Sequence, residues 1–290
     1  MHPAASVILF TTLSGAGFGF LFLLNLGLAG GTGPGALAAS LLGGSLAVAG
    51  LLASTFHLGR PARALRAFTQ WRTSWLSREA WCATGALILS APVALGRMGG
   101  AGPGLLGAAA ALLAAATILS TAMIYAQLKT VPRWNHWTTP VTYAAFALAG
   151  GAILAGWGWG AALICLALAM VMVVAWRVGD RRFAAAGSGI NAATGLTGQV
   201  RPFAAHTAAS YVTREMIFHV GRKHARKLRL IALVLACLLP ALLLALLPPG
   251  PVTTVTAFAS HLTGTLVQRW LFFAEAEHVV SHYYGRPPAR

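Results

Sequence analysis

Acidic residues are scarce in this chain: five among 290, namely Glu79, Asp180, Glu215, Glu275 and Glu277, against 21 Lys and Arg. Charged residues of both signs make up 9%. A soluble domain carries about 25%, so this chain cannot cover a water-facing surface of its size. Cysteine is rarer still. Cys82, Cys165 and Cys237 stand singly in apolar stretches, with no CxxC pair and no nearby His or Cys at ligand spacing. That pattern excludes a secreted disulfide scaffold and an iron–sulfur cluster held by this chain alone, and leaves three small fillers of helix interfaces. No Lys or Arg precedes the first apolar run, so a cleaved signal peptide is not expected.

What the chain has in abundance is apolar sequence, at 57% of residues and a mean hydropathy of +0.71. About 20 consecutive apolar residues span a bilayer as a helix. Eight such runs are bounded by charge, Pro or Gly clusters, at 6–29, 35–58, 79–97, 104–127, 139–156, 159–177, 229–247 and 252–274. They predict an all-α integral membrane protein, an eight-transmembrane-helix bundle forming one membrane domain over 1–290. Residues 178–228 form the one sizeable polar loop. Gly156-Trp157-Gly158-Trp159-Gly160 suits an interfacial turn, since Trp prefers the headgroup zone and Gly permits tight reversal. Gly15-Ala16-Gly17-Phe18-Gly19 imitates part of a nucleotide-binding fingerprint. Inside an apolar run with no strand before it, the run reads instead as close helix packing through small residues.

Charge orients such a bundle. Eight spans put both termini on one side with the loops 59–78, 128–138 and 178–228. That side carries 19 of the Lys and Arg, the opposite side carries Arg97, and Arg269 falls inside the last run. The positive-inside rule therefore predicts cytoplasmic termini in a bacterial inner membrane. Basic loops can equally be a docking surface for an acidic partner. Anionic headgroups or a protein partner account for the pI of about 11.5 without nucleic acid.

With so few acids, each one near hydrocarbon is a functional candidate. Glu79 opens the third run in Leu76-Ser77-Arg78-Glu79, either as a helix N-terminal acid after a Ser cap or as a working carboxylate. His57 closes the second run, and the hairpin brings both to one membrane face. A lone interfacial His is usually snorkelling or satisfied; a His with a carboxylate partner suits proton transfer. Between them lie Arg60, Arg63, Arg66, Arg72 and Arg78 with Trp71 and Trp75, a solvated basic loop whose aromatics could also wall an amphipathic ligand. In the last run Arg269 either snorkels or pairs with Glu79, Glu215, Glu275 or Glu277. His278 and His282 have i, i+4 spacing, but no third metal ligand is evident.

His57-Leu58-Gly59-Arg60-Pro61, then Arg66-Ala67-Phe68 and Leu76-Ser77-Arg78-Glu79, resembles the signature of the membrane-anchor subunit family of dimethyl sulfoxide reductase. Thr130-Val131-Pro132-Arg133-Trp134 with Trp137-Thr138-Thr139-Pro140 is similar to that family too. The resemblance implies a subunit that oxidises menaquinol or another quinol in anaerobic respiration. Electrons would pass to an iron–sulfur electron-transfer subunit and on to a molybdopterin catalytic subunit, with no haem or iron–sulfur cluster in this chain. It implies quinol chemistry at His57 and Glu79, with Arg60, Trp71 and Trp75 around the quinol. It also implies the membrane orientation opposite to the charge-based one expected here. The segment from Asp180 to Arg229, with His206-Thr207-Ala208-Ala209-Ser210-Tyr211, looks like that of a related branch and leaves the terminal substrate open. Two other functions fit the composition. A secondary transporter or channel would show broken helices or inverted repeats, and neither is convincing. A b-type haem subunit needs facing histidines, whereas His261 is the one clear mid-span His.

Overall fold

The structure, a computed structural model, describes residues 3–56, 61–187, 189–200 and 224–284. Among these there is no strand. The elements run α1 (Ala5–Asn25), α2 (Pro34–Thr55), a 3-10 segment (Pro61–Phe68), α3 (Trp75–Met98), α4 (Gly104–Ala126), α5 (Thr138–Leu154), α6 (Trp159–Ala185), the short α7 (Ile190–Thr194), α8 (Ala225–Leu246), α9 (Pro251–Ala274) and a 3-10 turn (Val279–Tyr284). Each expected apolar run falls on one helix. Six of them, α1 to α4, α6 and α8, are long and apolar enough to cross a membrane. The apolar α5 has 17 residues, and α9, with 24, carries Ser260, His261, Gln268 and Arg269.

The first helix ends at Asn25 rather than 29, where the glycines that follow turn the chain; three other boundaries extend well beyond the sequence reading, for one reason. The third helix starts at Trp75 rather than 79, α6 continues to Ala185 rather than 177, and α8 starts at Ala225 rather than 229. An apolar run stops at its first charge, but a charge that finds a partner does not end a helix. Arg182 donates to the carbonyls of Pro132 and Asn135, and Asp180 and Arg229 pair with each other. The polar stretch after 178 therefore begins and ends as helix. Its centre, 201–223, lies outside the described residues.

Helix α1 is the hub, packing against α2, α4, α5 and α9. Its glycines permit this. A Cβ at Gly17 would overlap the backbone of Ala47, and one at Gly19 would overlap the carbonyl of Ala147. The Gly-rich run is a packing surface, where van der Waals contact between close backbones replaces the missing hydrophobic drive.

In α8 a proline shapes the interior. Pro240 has no N–H to give the carbonyl of Ala236, and the preceding turn, Val234–Leu238, widens to π geometry, so that Leu239 bonds Val234 instead of Leu235. Two carbonyls are thereby freed at membrane depth, and α9 satisfies both. The Ser260 hydroxyl donates to Leu235 at 2.8 Å, and His261 Nδ1 donates to Ala236 at 2.7 Å. Gly264 lets α9 approach closely enough, since a Cβ there would overlap Ala236.

The two ends of the bundle are tied differently. At the end holding the α3–α4 turn, Arg97 folds inward and donates to the carbonyls of Leu24, Ala29 and Gly31, tying the last turn of α1 to the loop that follows it. At the other end Arg133 and Arg229 share Asp180 and Glu275. The Arg229–Asp180 pair is bidentate at 2.6 and 2.8 Å, and Arg229–Glu275 lies at 2.7 Å. This four-membered ring joins the α4–α5 loop, α6, α8 and the end of α9.

Candidate functional site

The site is built on the loop that folds back over the start of α3. The backbone N–H of Gln70 donates to the Ser77 hydroxyl. Arg78 donates to the carbonyls of Trp71 at 3.0 Å and Arg72 at 2.7 Å, and the Trp81 indole to that of Phe68 at 3.0 Å. Trp71 lies exposed beneath Arg72, and the Arg78 guanidinium sits 4.3 Å from the Trp75 ring. Each tryptophan thus has a guanidinium near its ring, Trp71 that of Arg72 in the loop and Trp75 that of Arg78 in the first turn of α3, with Trp75 one turn before Glu79 on the same strip of α3. His57 and Arg60 lie outside the described residues.

Glu79 is not the helix-capping acid that the Ser-X-Glu pattern suggested. The helix begins four residues earlier with Ser74 at its N-cap, no side chain caps it, and its first turn holds no acid. Glu79 is its fifth residue, 3% exposed, turned onto α4, where it hydrogen-bonds the Thr121 hydroxyl. That hydroxyl is also 3.0 Å from the carbonyl of Thr117. Its single proton can serve either neighbour. When Glu79 is ionised, Thr121 donates to it; when Glu79 is protonated, Glu79 donates and Thr121 turns to Thr117. The pair can keep its geometry in both protonation states.

One turn beyond Thr121, Tyr125 enters an aromatic cluster. It stacks on Tyr143 of α5 at 5.9 Å and meets Trp134, Phe272 and Phe273 edge-on. The Arg269 guanidinium lies 3.7 Å from the Tyr143 ring centre and 5.0 Å from that of Phe146. Arg269 is 1% exposed, which overturns the snorkelling reading. Glu275, one of the partners expected for it, is engaged by Arg133 and Arg229. Glu215 lies outside the described residues. Arg269 Nε and Nη1, the Tyr143 hydroxyl, Gln268 Oε1 and the Thr12 hydroxyl have no hydrogen-bond partner among the described residues.

Sequence reasoning found Glu79 and Arg269 but missed Thr121, Tyr125 and Tyr143. A signal was present, since polar aromatics inside apolar runs at the same membrane face are unusual, but the rotation of each helix had to be known. Between α2 and α3 a cavity of about 470 Å³ is lined by apolar side chains such as Leu41, Val48, Leu87 and Leu95, with Ser40 and Ser90. His278 Nδ1 accepts the backbone N–H of Val280 and His282 packs against Phe183. Among the described residues no group of three His, Cys, Asp or Glu is placed to hold a metal ion.

Comparison with known proteins supplies the context. The family model of the DMSO reductase anchor subunit (DmsC) matches residues 1–274. The chain is 33% identical to a sulfite dehydrogenase subunit of Allochromatium vinosum, over 98% of this chain and 99% of that protein. No solved structure matches it.

Proposed function

Because the chain belongs to the DMSO reductase anchor subunit family, we propose that it exchanges electrons between the membrane quinone pool and the peripheral subunits of a molybdopterin oxidoreductase. The family membership and the helical membrane bundle carry the coarse statement: an integral membrane anchor that associates with other subunits. The finer reading is eight crossings, with α5 and α9 joining the six long apolar helices. Both termini then lie on the cytoplasmic side of a bacterial inner membrane. Fusions of a compartment reporter at residues 31, 100 and 250 are expected to be exported, and those at 70, 135 and 200 to remain inside.

The observation that carries the site is the buried Glu79–Thr121 pair. Oxidising a quinol such as menaquinol releases two protons with two electrons, so a base must stand at the hydroxyl. In this reading neutral His57 takes the hydroxyl proton, and Glu79 stabilises the imidazolium and passes the proton on. The same reading assigns Trp71, Trp75 and Arg60 to the quinol, and the apolar cavity between α2 and α3 to its isoprenoid tail. Electrons leave to an iron–sulfur subunit and from there to the molybdopterin subunit. The similarity to the sulfite dehydrogenase protein favours a second reading of the direction, in which the same residues deliver protons to a quinone while a substrate is oxidised in the periphery.

The test uses the assembled complex. His57→Ala and Glu79→Gln should leave the subunits associated and lower quinol-dependent turnover roughly 10²–10⁴-fold, the usual contribution of a positioned acid or base. Turnover driven by an artificial donor to the peripheral subunits should be spared. Loss of both activities together would assign the two residues to assembly instead. Quinone reduction coupled to oxidation of a peripheral substrate, measured in the parent complex beside quinol oxidation, separates the two directions: the second reading expects it to proceed and to be lost in the same variants.

A further inference from the structure

The interior holds polar groups that this reading leaves unused. The Thr12 hydroxyl on α1, the Tyr143 hydroxyl on α5, and Gln268 Oε1 with Arg269 Nε and Nη1 on α9 lack partners among the described residues, although each residue is at most 5% exposed. Buried polar atoms in folded proteins are paired with protein or with ordered water. The space beside them suits water. One crevice runs past Thr121, the partner of Glu79, to Thr11, Gly15 and Tyr143. A second runs from Thr11 and Gly15 to Thr12, His261 and Arg269. The two share Thr11 and Gly15, and a Cβ added at Gly15 would meet nothing within 4 Å. Each holds about 10 Å³, close to the room one water needs and far too small for a quinone ring. A third, of about 40 Å³, begins at Gln268, next to Arg269 in the chain, and ends at Glu275 and Arg133 in the ion-pair ring.

We propose that water ordered by Thr12, Tyr143, Gln268 and Arg269 forms a proton path from Glu79 to the Glu275 carboxylate at the basic face. The proton leaves Glu79 for a water at Thr121. Each O–H bond broken along the chain is matched by one formed on the next oxygen, and the last proton passes to Glu275 and then to bulk water. No electron moves. Arg269 holds and orients water oxygens by its N–H groups. The conduction rests on the reading of Glu79 as the proton acceptor from quinol; the hydration does not.

The two parts are tested separately. In the full chain in lipid nanodiscs, brief X-ray radiolysis generates hydroxyl radicals at bound water and oxidises the side chains beside it. Tyr143 is expected to be modified despite its burial. Phe20, equally buried and away from the crevices, is expected to stay intact. Gly15→Leu, which fills the shared space, should lower Tyr143 modification at least fivefold. A Tyr143 as inert as Phe20 in the parent chain overturns the proposal. In the assembled complex, Gly15→Leu and, on a separate element, Gln268→Leu should each slow quinol-driven turnover at least tenfold while artificial-donor turnover persists. Unchanged quinol turnover in both variants overturns the path even where Tyr143 is labelled. A parent complex without quinol turnover overturns the premise and the conduction together, and the Tyr143 footprint then decides the hydration alone.

Discussion

Arg97 and Arg269 are buried to nearly the same degree, and the chain satisfies them in opposite ways. Arg97 spends its guanidinium on three backbone carbonyls at the end of α1. Arg269 lies against Tyr143 and Phe146 with Nε and Nη1 unbonded among the described residues. A buried charge whose donors are all directed at backbone is part of the scaffold. One held by ring faces, with donors to spare, is available to something else. The contrast extends to the regions around them. The Arg97 end is closed by turns, whereas the Arg269 end gathers Glu79, Thr121, two tyrosines and the ion-pair ring.

The comparison can be broken most directly at Arg97. Arg97→Met strips donors from the buried carbonyls of Leu24 and Ala29 and from the exposed one of Gly31, and an unsatisfied buried group costs about 1–3 kcal/mol. The variant should lose about 2 kcal/mol or more, read as a lower unfolding midpoint in detergent. Arg269→Met should cost less than about 1.5 kcal/mol, since it exchanges a buried cation for an apolar side chain of similar reach. Equal losses for the two variants would erase the distinction. Smaller still is Asp180→Asn. The Asp180 side chain is 44% exposed, so solvent screening holds the expected loss below about 1 kcal/mol, and Glu275 keeps both arginines in place. The smallest effect is pH-dependent and lies in the α4–α5 loop. Burial, and then the charge of Arg182, hold the His136 imidazole below its ordinary pKa of 6.5. Protonation therefore favours the unfolded form. The loop is unaffected above pH 6.5 and loosens as pH falls below it, which hydrogen exchange at residues 131–137 should report as faster exchange at pH 5.5 than base and acid catalysis alone require.

How much of this was legible in the sequence follows from the range of each interaction. Hydropathy located the eight longest helices among the described residues, six of them long and apolar enough to cross a membrane, because lipid imposes a minimum length on any apolar run that crosses it. Ends were misplaced where charges pair across helices, as at Asp180 and Arg229, because such pairing is invisible along a single run. Glu79 stood out through scarcity, but Thr121 lies 42 residues away on another helix and is one of many threonines. The interlock of α8 with α9 was within reach: Pro240 inside an apolar run announces a free carbonyl four residues earlier, and Ser260-His261 supplies donors in the next run. What no pattern contained was helix rotation, which decides that Arg269 meets Tyr143 and not Glu275.

The burial of α1 has a consequence for how the protein is made. The most enclosed of the six long apolar helices, with 72% of its apolar window buried, is made before α2, α4, α5 and α9, the helices that come to cover it. It meets lipid before they are there. Its hydroxyls suit that wait, since Thr11 bonds the carbonyl of Val7 at 2.9 Å and Ser14 that of Phe10 at 2.7 Å, both within the same helix. With no bulky side chain at Gly17 or Gly19 to displace, α2 and later α5 can dock onto it in the order in which they are synthesised, so the centre of the bundle is also the start of its assembly.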